Sequence, residues 1–146
     1  MPKIERSALV NHSAEQMFDL VNDIESYPEF MHGCRAAKVI SQSDDELVGE
    51  LTLGQPGIQQ TFTTRNQLSR PDSIEMKLVS GQFKSFTAAW QFDALDESAC
   101  KVSLHMDFEF DLSLMDVAAS HLFSSVANAQ VDALVRRANK VYGIGI

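Results

Sequence analysis

The feature that most constrains the fold is a change of hydrophobic period near residue 113. From residue 35 to residue 111, apolar and polar side chains alternate, and turn-forming residues recur at short intervals. Alternation of this kind is typical of strands that bury one face of a sheet. From residue 113 to about residue 142, apolar residues recur every three or four positions instead, which predicts one long helix. The chain therefore predicts a sheet followed by a single covering helix.

Six consecutive strands are predicted in the alternating region. Turn signals separate them at residues 43–45, 55–57, 70–72, 80–82 and 96–98. Short connections between consecutive strands indicate an antiparallel meander. The last two strands share a strongly apolar face, made of Phe86, Ala88, Trp90, Phe92, Cys100, Val102, Leu104, Met106, Phe108 and Phe110. A sheet with one such face needs a cover on that side.

The N-terminal segment adds one strand and two short helices. Residues 2–10 alternate as a strand does. Ser13 is a predicted helix N-cap, with Gln16 three residues later as its capping-box partner. Residues 23–31 predict a second short helical or turn segment, which Pro28 interrupts.

The predicted fold class is α+β, with one domain over residues 1–146. A seven-stranded curved antiparallel sheet wraps around the long C-terminal helix, and the two short helices lie between strands 1 and 2. The predicted helix stripe comprises Met115, Ala118, Leu122, Val126, Ala129 and Ala133, and Leu134, Ala138 and Val141 extend its apolar surface. One helix about 10 Å across cannot fill the concave side of such a sheet. Large side chains or a ligand must occupy the rest, and the many small residues on the helix fit either reading.

Charge and residue spacing argue against several other functions. The 20 acidic and 12 basic residues give a net charge of −8, which repels phosphate backbones on average, so no DNA partner is expected. The four histidines lack metal-ligand spacing, and no metal site is expected. Cys34 and His32 stand two residues apart without a nucleophile turn, so catalysis is not expected. With no apolar span or signal peptide, we expect a cytoplasmic protein.

Five segments resemble, in order, the coenzyme Q-binding START-like family, which has the helix-grip fold of polyketide cyclases. They are residues 22–30 (NDIESYPEF) followed by Cys34, then 62–66 (FTTRN), 81–84 (GQFK), 90–92 (WQF) and 107–110 (DFEF). The similarity is greatest to the bacterial branch of ribosome-association toxins. Mitochondrial relatives commonly have Pro-Trp-Cys where this chain has His32, Gly33 and Cys34, and this difference also favours the bacterial branch.

The resemblance implies two non-enzymatic activities. The first is binding of ubiquinone or a related polyprenyl quinone between sheet and C-terminal helix, which supports respiration. The alternative is a toxin that binds the large ribosomal subunit and blocks subunit joining. No cofactor is required in either case, although a ubiquinone-like ligand fits the first. Because one activity uses the interior and the other the outer surface, the two are not exclusive.

The predicted ligand-binding residues lie on the apolar face, in the Tyr-Pro-Glu-Phe segment and in the loop before strand 6. They are Tyr27, Phe30, Phe62, Thr64, Phe83, Lys84, Trp90, Phe92, Met106, Phe108, Leu122 and Val126. Gln60 and Asn66 share the face of Thr64, and such polar groups need partners when they are buried. Ordinary packing of Tyr27 and Phe30, and a plain surface loop at Phe83, are the alternatives.

The predicted ribosome contacts are the cations near the end of the long helix. Arg136, Arg137 and Lys140 cluster there, where phosphate groups of ribosomal RNA are suitable partners. Cations at a helix C-terminus also stabilise the helix dipole, and that role alone is enough to explain them.

Overall fold

Seven antiparallel strands form one sheet in the computed structural model, which describes residues 3–111 and 117–143. The strands are β1 (Lys3–Val10), β2 (Cys34–Gln42), β3 (Glu46–Gln55), β4 (Ile58–Ser69), β5 (Ser73–Ser80), β6 (Phe83–Asp96) and β7 (Ala99–Phe110). Helix α1 (Ala14–Asn22) and a 3₁₀ helix (Ile24–Glu29) connect β1 to β2, and helix α2 (Val117–Tyr142) follows the sheet. The predicted fold class and element order are confirmed.

The sheet runs in the order β1-β7-β6-β5-β4-β3-β2. Strands β2 to β7 are the predicted meander, in which each strand pairs with the next along the chain. The N-terminal strand pairs with β7, so that Ile4 lies opposite Met106 and Val10 opposite Cys100. Because β1 leads directly into α1, this pairing brings α1 to the concave side, where it contacts β6, β7 and α2.

Local sequence signals account for two of the connections. Helix α1 begins with the predicted capping box, in which Gln16 N donates to Ser13 Oγ at 3.1 Å and Ser13 N donates to Gln16 Oε1 at 2.9 Å. In the turn from β3 to β4, Gly57 has φ = +82°, which the second central position of a type II turn requires. The β3–β4 turn forms part of the groove that is described below.

Helix α2 packs on β1, β3, β4 and β7 with a face that only partly matches the predicted stripe. Its buried residues are Ala119, Leu122, Phe123, Val126, Ala127, Val131, Ala133, Leu134 and Ala138. Ala118 and Ala129 are exposed, and Met115 lies outside the described residues. The predicted stripe was therefore wrong in part: Leu122, Val126 and Ala133 are buried as predicted, but the buried face turns toward Phe123 and away from Ala118 and Ala129. Burying one phenylalanine stabilises the fold far more than burying two alanines. Among the described residues, no helix is long and apolar enough to span a membrane.

Candidate functional site

An aromatic cluster fills one end of the space between the sheet and α2. Phe123 of α2 lies at its centre, with its ring centroid 4.9 Å from that of Phe83 and 5.0 Å from that of Phe108. The other members are Phe62, Phe86 and Phe110, all within 6.2 Å of Phe123. The predicted ligand residues Phe62, Phe83 and Phe108 thus pack against one another. Phe83, in particular, is buried inside the cluster and is only 7% exposed.

Beside the aromatic cluster lies an apolar cavity of about 30 Å³. Its walls include the predicted residues Phe62, Met106 and Val126, together with Met31, Leu51, Leu53, Met76, Phe86, Phe123, Ala127 and Gln130. A volume of this size holds about one or two water molecules, whereas ligand pockets of proteins are roughly 300–1,000 Å³. The interior is therefore almost fully packed in this conformation.

A second cavity of about 30 Å³ continues the first on the side of α1. We call it the polar cavity, because several polar side chains stand among the apolar ones in its walls. Leu51, Met76 and Gln130 line both cavities. The predicted residues Tyr27, Thr64 and Trp90 line the polar one, with Val21, Asn22, Ile24, Gly49, Asn66 and Ile74.

Strand β4 carries buried polar groups, as its alternating pattern predicted. Gln60, Thr64 and Asn66 are each at most 5% exposed. Thr64 and Asn66 line the polar cavity, where Thr64 Oγ1 donates to Asn66 Oδ1 at 2.9 Å. Asn22 Oδ1, on the same cavity, is buried and accepts no hydrogen bond from the described residues. Since a buried acceptor without a donor is costly, a water molecule in the polar cavity is the suitable partner.

Tyr27 closes the polar cavity toward the 3₁₀ helix. Its hydroxyl donates to the carbonyl oxygen of Val21, and its ring meets the ring of Phe30 edge to face at 5.8 Å. Burial raises the pKa of the Tyr27 hydroxyl well above its ordinary value, because the phenolate would lose its hydration. Tyr27 is therefore a neutral, fixed donor that holds α1 to the 3₁₀ helix.

Arg137 joins the 3₁₀ helix to α2. Its Nη2 lies 3.1 Å from Glu29 Oε1, and its guanidinium carbon lies 5.0 Å from the centroid of the Phe30 ring. The Arg137 side chain is only 16% exposed. Lys140 is exposed and Arg136 is open to solvent as well, so of the three predicted ribosome contacts these two present their cations to solvent.

Six of the predicted ligand residues line neither cavity: Phe30, Phe83, Lys84, Phe92, Phe108 and Leu122. Phe83 and Lys84 begin strand β6 instead of lying in the predicted loop. Lys84 lies on the outer face of the sheet, with its Nζ atom 3.8 Å from Glu109 Oε2. Phe92 stacks parallel to Trp90 and meets the ring of Phe18 at 5.8 Å, as part of the core beneath α1.

A larger concave site is a groove of about 550 Å³ along α2. It lies between α2, the loop after the 3₁₀ helix and the β3–β4 turn. The predicted residues Leu122 and Val126 form its inner wall, and the other lining residues are His32, Gly33, Arg35, Gly54, Gln55, Pro56, His121, Ser125 and Ala129. Val126 also lines the apolar cavity, so its side chain separates the groove from the interior.

Sequence reasoning missed several residues of the site. Phe123 was missed because the predicted stripe was drawn through the small residues near it. A phenylalanine directly after Leu122 nevertheless indicates a buried position. Gln130 lines the interior from a polar position of the helix pattern. Arg35 reaches the groove through an irregularity of β2 that no local pattern predicts.

The fold and these residues match a known family. A family model described as "Polyketide cyclase / dehydrase and lipid transport" matches residues 10–135. The chain belongs to this polyketide cyclase and lipid transport family. Solved structures share the fold: the Zhui aromatase/cyclase of Streptomyces sp. R1128 superposes with a TM-score of 0.78 at 17% identity, covering 95% of this chain and 94% of its own. A START superfamily protein of Mycobacterium smegmatis gives 0.76, also at 17% identity, covering 95% and 98%.

Within the polyketide cyclase and lipid transport family, the chain is similar to proteins named ribosome association toxin RatA. The Vibrio cholerae protein is 46% identical over 98% of this chain and 99% of its own length. The Escherichia coli K12 protein is 42% identical over 97% of this chain and 90% of its own length. A mitochondrial coenzyme Q-binding protein, COQ10 homolog B of Xenopus laevis, is 26% identical over 94% of this chain and 58% of its own length.

Proposed function

We propose that this protein binds the large ribosomal subunit, hinders subunit joining and catalyses no reaction. The observation that carries this proposal is the similarity of 42–46% over almost the whole chain to ribosome association toxins of Vibrio cholerae and Escherichia coli. The geometry supports a function of the outer surface, because each interior cavity holds only about 30 Å³. In this proposal the protein covers a surface of the large subunit that the small subunit must contact when the two join.

The solvent-facing cations of α2 are the proposed phosphate contacts at the far end of the helix. Arg136 and Lys140 stand four residues apart and therefore on the same side of α2, about one turn from each other. Arg137 is held by Glu29 and Phe30, so we assign it to joining the 3₁₀ helix to α2. On a chain with net charge −8, such a local pair is what an RNA-rich surface recognises.

Replacing Arg136 and Lys140 together with glutamate is expected to weaken association with large subunits by at least about tenfold, because each change removes a phosphate contact and adds repulsion. The measurement is co-sedimentation with purified large subunits, paired with sucrose-gradient profiles of subunits mixed with the protein. The matched control replaces Lys77 and Lys101, exposed lysines of β5 and β7, with glutamate. Unchanged subunit profiles at an excess of unaltered protein would exclude the proposed function.

A second candidate function is binding of a polyprenyl quinone such as ubiquinone. The observation in its favour is that Val126 lines both the groove of about 550 Å³ and the apolar cavity, so a shift of its side chain would join the two spaces. The COQ10 relative, named as a coenzyme Q-binding protein, supports the same ligand class. If this second function holds, organic extracts of the purified protein contain quinone at one molecule per chain. Quinone-free extracts would exclude it.

A further inference from the structure

Arg35 is directed to the groove by a β-bulge at the start of β2. Cys34 pairs with Leu53 and Ala36 pairs with Thr52, so Arg35 is the extra residue between two successive pairs. A bulge turns the side chain of the extra residue away from the regular alternation of the strand. The Arg35 side chain then lies across Gly54, where a Cβ atom would come within 2.5 Å of Arg35 Nε. The bulge therefore directs the Arg35 side chain toward the groove, and the missing side chain of Gly54 leaves room for its guanidinium.

The groove contains one arginine and no lysine, on a protein of net charge −8. His32, His121 and Ser125 line it together with Arg35, and none of its lining residues within 3–111 and 117–143 is acidic. Among the described arginines, Arg65, Arg70 and Arg137 each pair with a carboxylate. Arg35, like Arg6 and Arg136, forms no ion pair with the described residues. A guanidinium that is not paired with a carboxylate can donate its N–H groups to a phosphate group.

The groove is closed at its inner end, and this favours a short ligand over a long lipid chain. Leu122 and Val126 close its inner end, and the space behind Val126 is only about 30 Å³. An acyl or isoprenoid chain of a phospholipid would need a tunnel that continues into the interior. A nucleobase is flat and short, and single-stranded RNA is recognised by stacking of unpaired bases on histidine rings or arginine planes. The groove offers two imidazoles and one guanidinium for that purpose.

We propose that this groove binds one unstacked nucleotide of single-stranded RNA, with its phosphate on Arg35 and its base against the imidazoles of His32 and His121. The inference rests on the proposed ribosome association and identifies RNA, rather than a ribosomal protein, as the component contacted here. Arg136 and Lys140 then contact the backbone further along α2. Ser125 and Ala129 lie on the helix surface between the base site and these cations.

The test compares two arginine variants that change the charge equally. Arg35→Glu is expected to weaken binding of a fluorescein-labelled RNA single strand of about ten nucleotides by at least about tenfold. Arg65→Glu is the control, because Arg65 is also exposed but lies on β4 beside Glu46, away from the groove. Its affinity is expected to stay within about twofold of the unaltered protein. Fluorescence anisotropy gives the affinities, and circular dichroism verifies that both variants fold.

A second variant moves Arg35 without changing any charge. In Gly54→Ala the new methyl group displaces the Arg35 side chain, so we expect an intermediate loss of RNA affinity at unchanged net charge. Equal affinity of Arg35→Glu and Arg65→Glu would overturn the proposal, as would equal binding of an RNA duplex of the same composition. Binding of vesicles that contain anionic phospholipid, lost in Arg35→Glu while the RNA does not bind, would assign the groove to lipid instead.

Sucrose gradients separate failure of this inference from failure of the proposed function. If the unaltered protein leaves large subunits unoccupied, the ribosome association itself is wrong. If unaltered protein and Arg35→Glu occupy large subunits equally, only the assignment of the groove to RNA is wrong. Loss of occupancy in Arg35→Glu together with retention in Arg65→Glu supports both.

Discussion

Replacing Phe123 with alanine is expected to lower the free energy of unfolding by about 3–5 kcal/mol, the range for a phenylalanine removed from a packed core. Phe123 is 2% exposed and contacts the rings of Phe62, Phe83 and Phe108, among others. The vacated volume adjoins the apolar cavity that Phe123 already lines. Equilibrium unfolding in urea, with the slope unchanged, measures the loss. The enlarged apolar void is also expected to take up benzene or xenon, as dry engineered cavities do.

Phe110→Ala is the matched control for Phe123→Ala. Phe110 belongs to the same cluster, where its ring stacks on that of Phe83, but it is only partly buried. We expect it to cost about half as much, because part of its area stays in water in the folded protein. Equal losses in the two variants, or a loss below about 1 kcal/mol for Phe123→Ala, would contradict the role of Phe123 as the residue that fills the interior.

Replacing Gly33 with alanine is expected to cost about 2–4 kcal/mol and to deform the groove, because two costs add at this position. Gly33 has φ = +90°, a conformation that strains any residue with a Cβ atom. The new Cβ would also lie 2.7 Å from Val126 Cγ2, which is too close for two carbon atoms. Either the Val126 side chain or the loop after the 3₁₀ helix must therefore move. Urea unfolding measures the stability, and the affinity for large subunits reports the change in the groove.

Gly57→Ala separates strain from steric clash. Gly57 has nearly the same backbone conformation, with φ = +82°. Apart from Gly57 and its two chain neighbours, no described residue has an atom within 4 Å of the position that an alanine methyl group would take. We expect a cost of about 1 kcal/mol from strain alone, and unchanged affinity for large subunits. If the two alanine variants proved equally stable, the contact between Gly33 and Val126 would not hold the loop against α2.

Features of the fold that depend on neighbours in sequence were predictable. The change of period near residue 113 predicted a sheet covered by one helix, and Ser13 with Gln16 predicted the start of α1. The turn at Gly57 followed from the pairing of proline and glycine. The burial of Gln60 and Asn66 followed from strand alternation. In each case the interaction that determines the feature involves residues close together in the sequence, so the local sequence pattern is enough to predict it.

Features that depend on distant partners were not predictable. The rotation of α2 is decided by Phe123 meeting five other phenylalanine rings of the sheet, and the helix alone offers several apolar stripes. Arg137 is far from Phe30 in sequence, so its contact with that ring has no local signal. Arg35 enters the groove because the register between β2 and β3 shifts there, and register depends on both strands.

We propose that this protein acts through its outer surface while its interior stays packed. The most direct measurement is native mass spectrometry of the chain recovered from cells, both free and released from purified large subunits. We expect the chain to be present on large subunits and to have the mass of the bare polypeptide in both fractions. A chain that is absent from large subunits and carries the added mass of a quinone would contradict it.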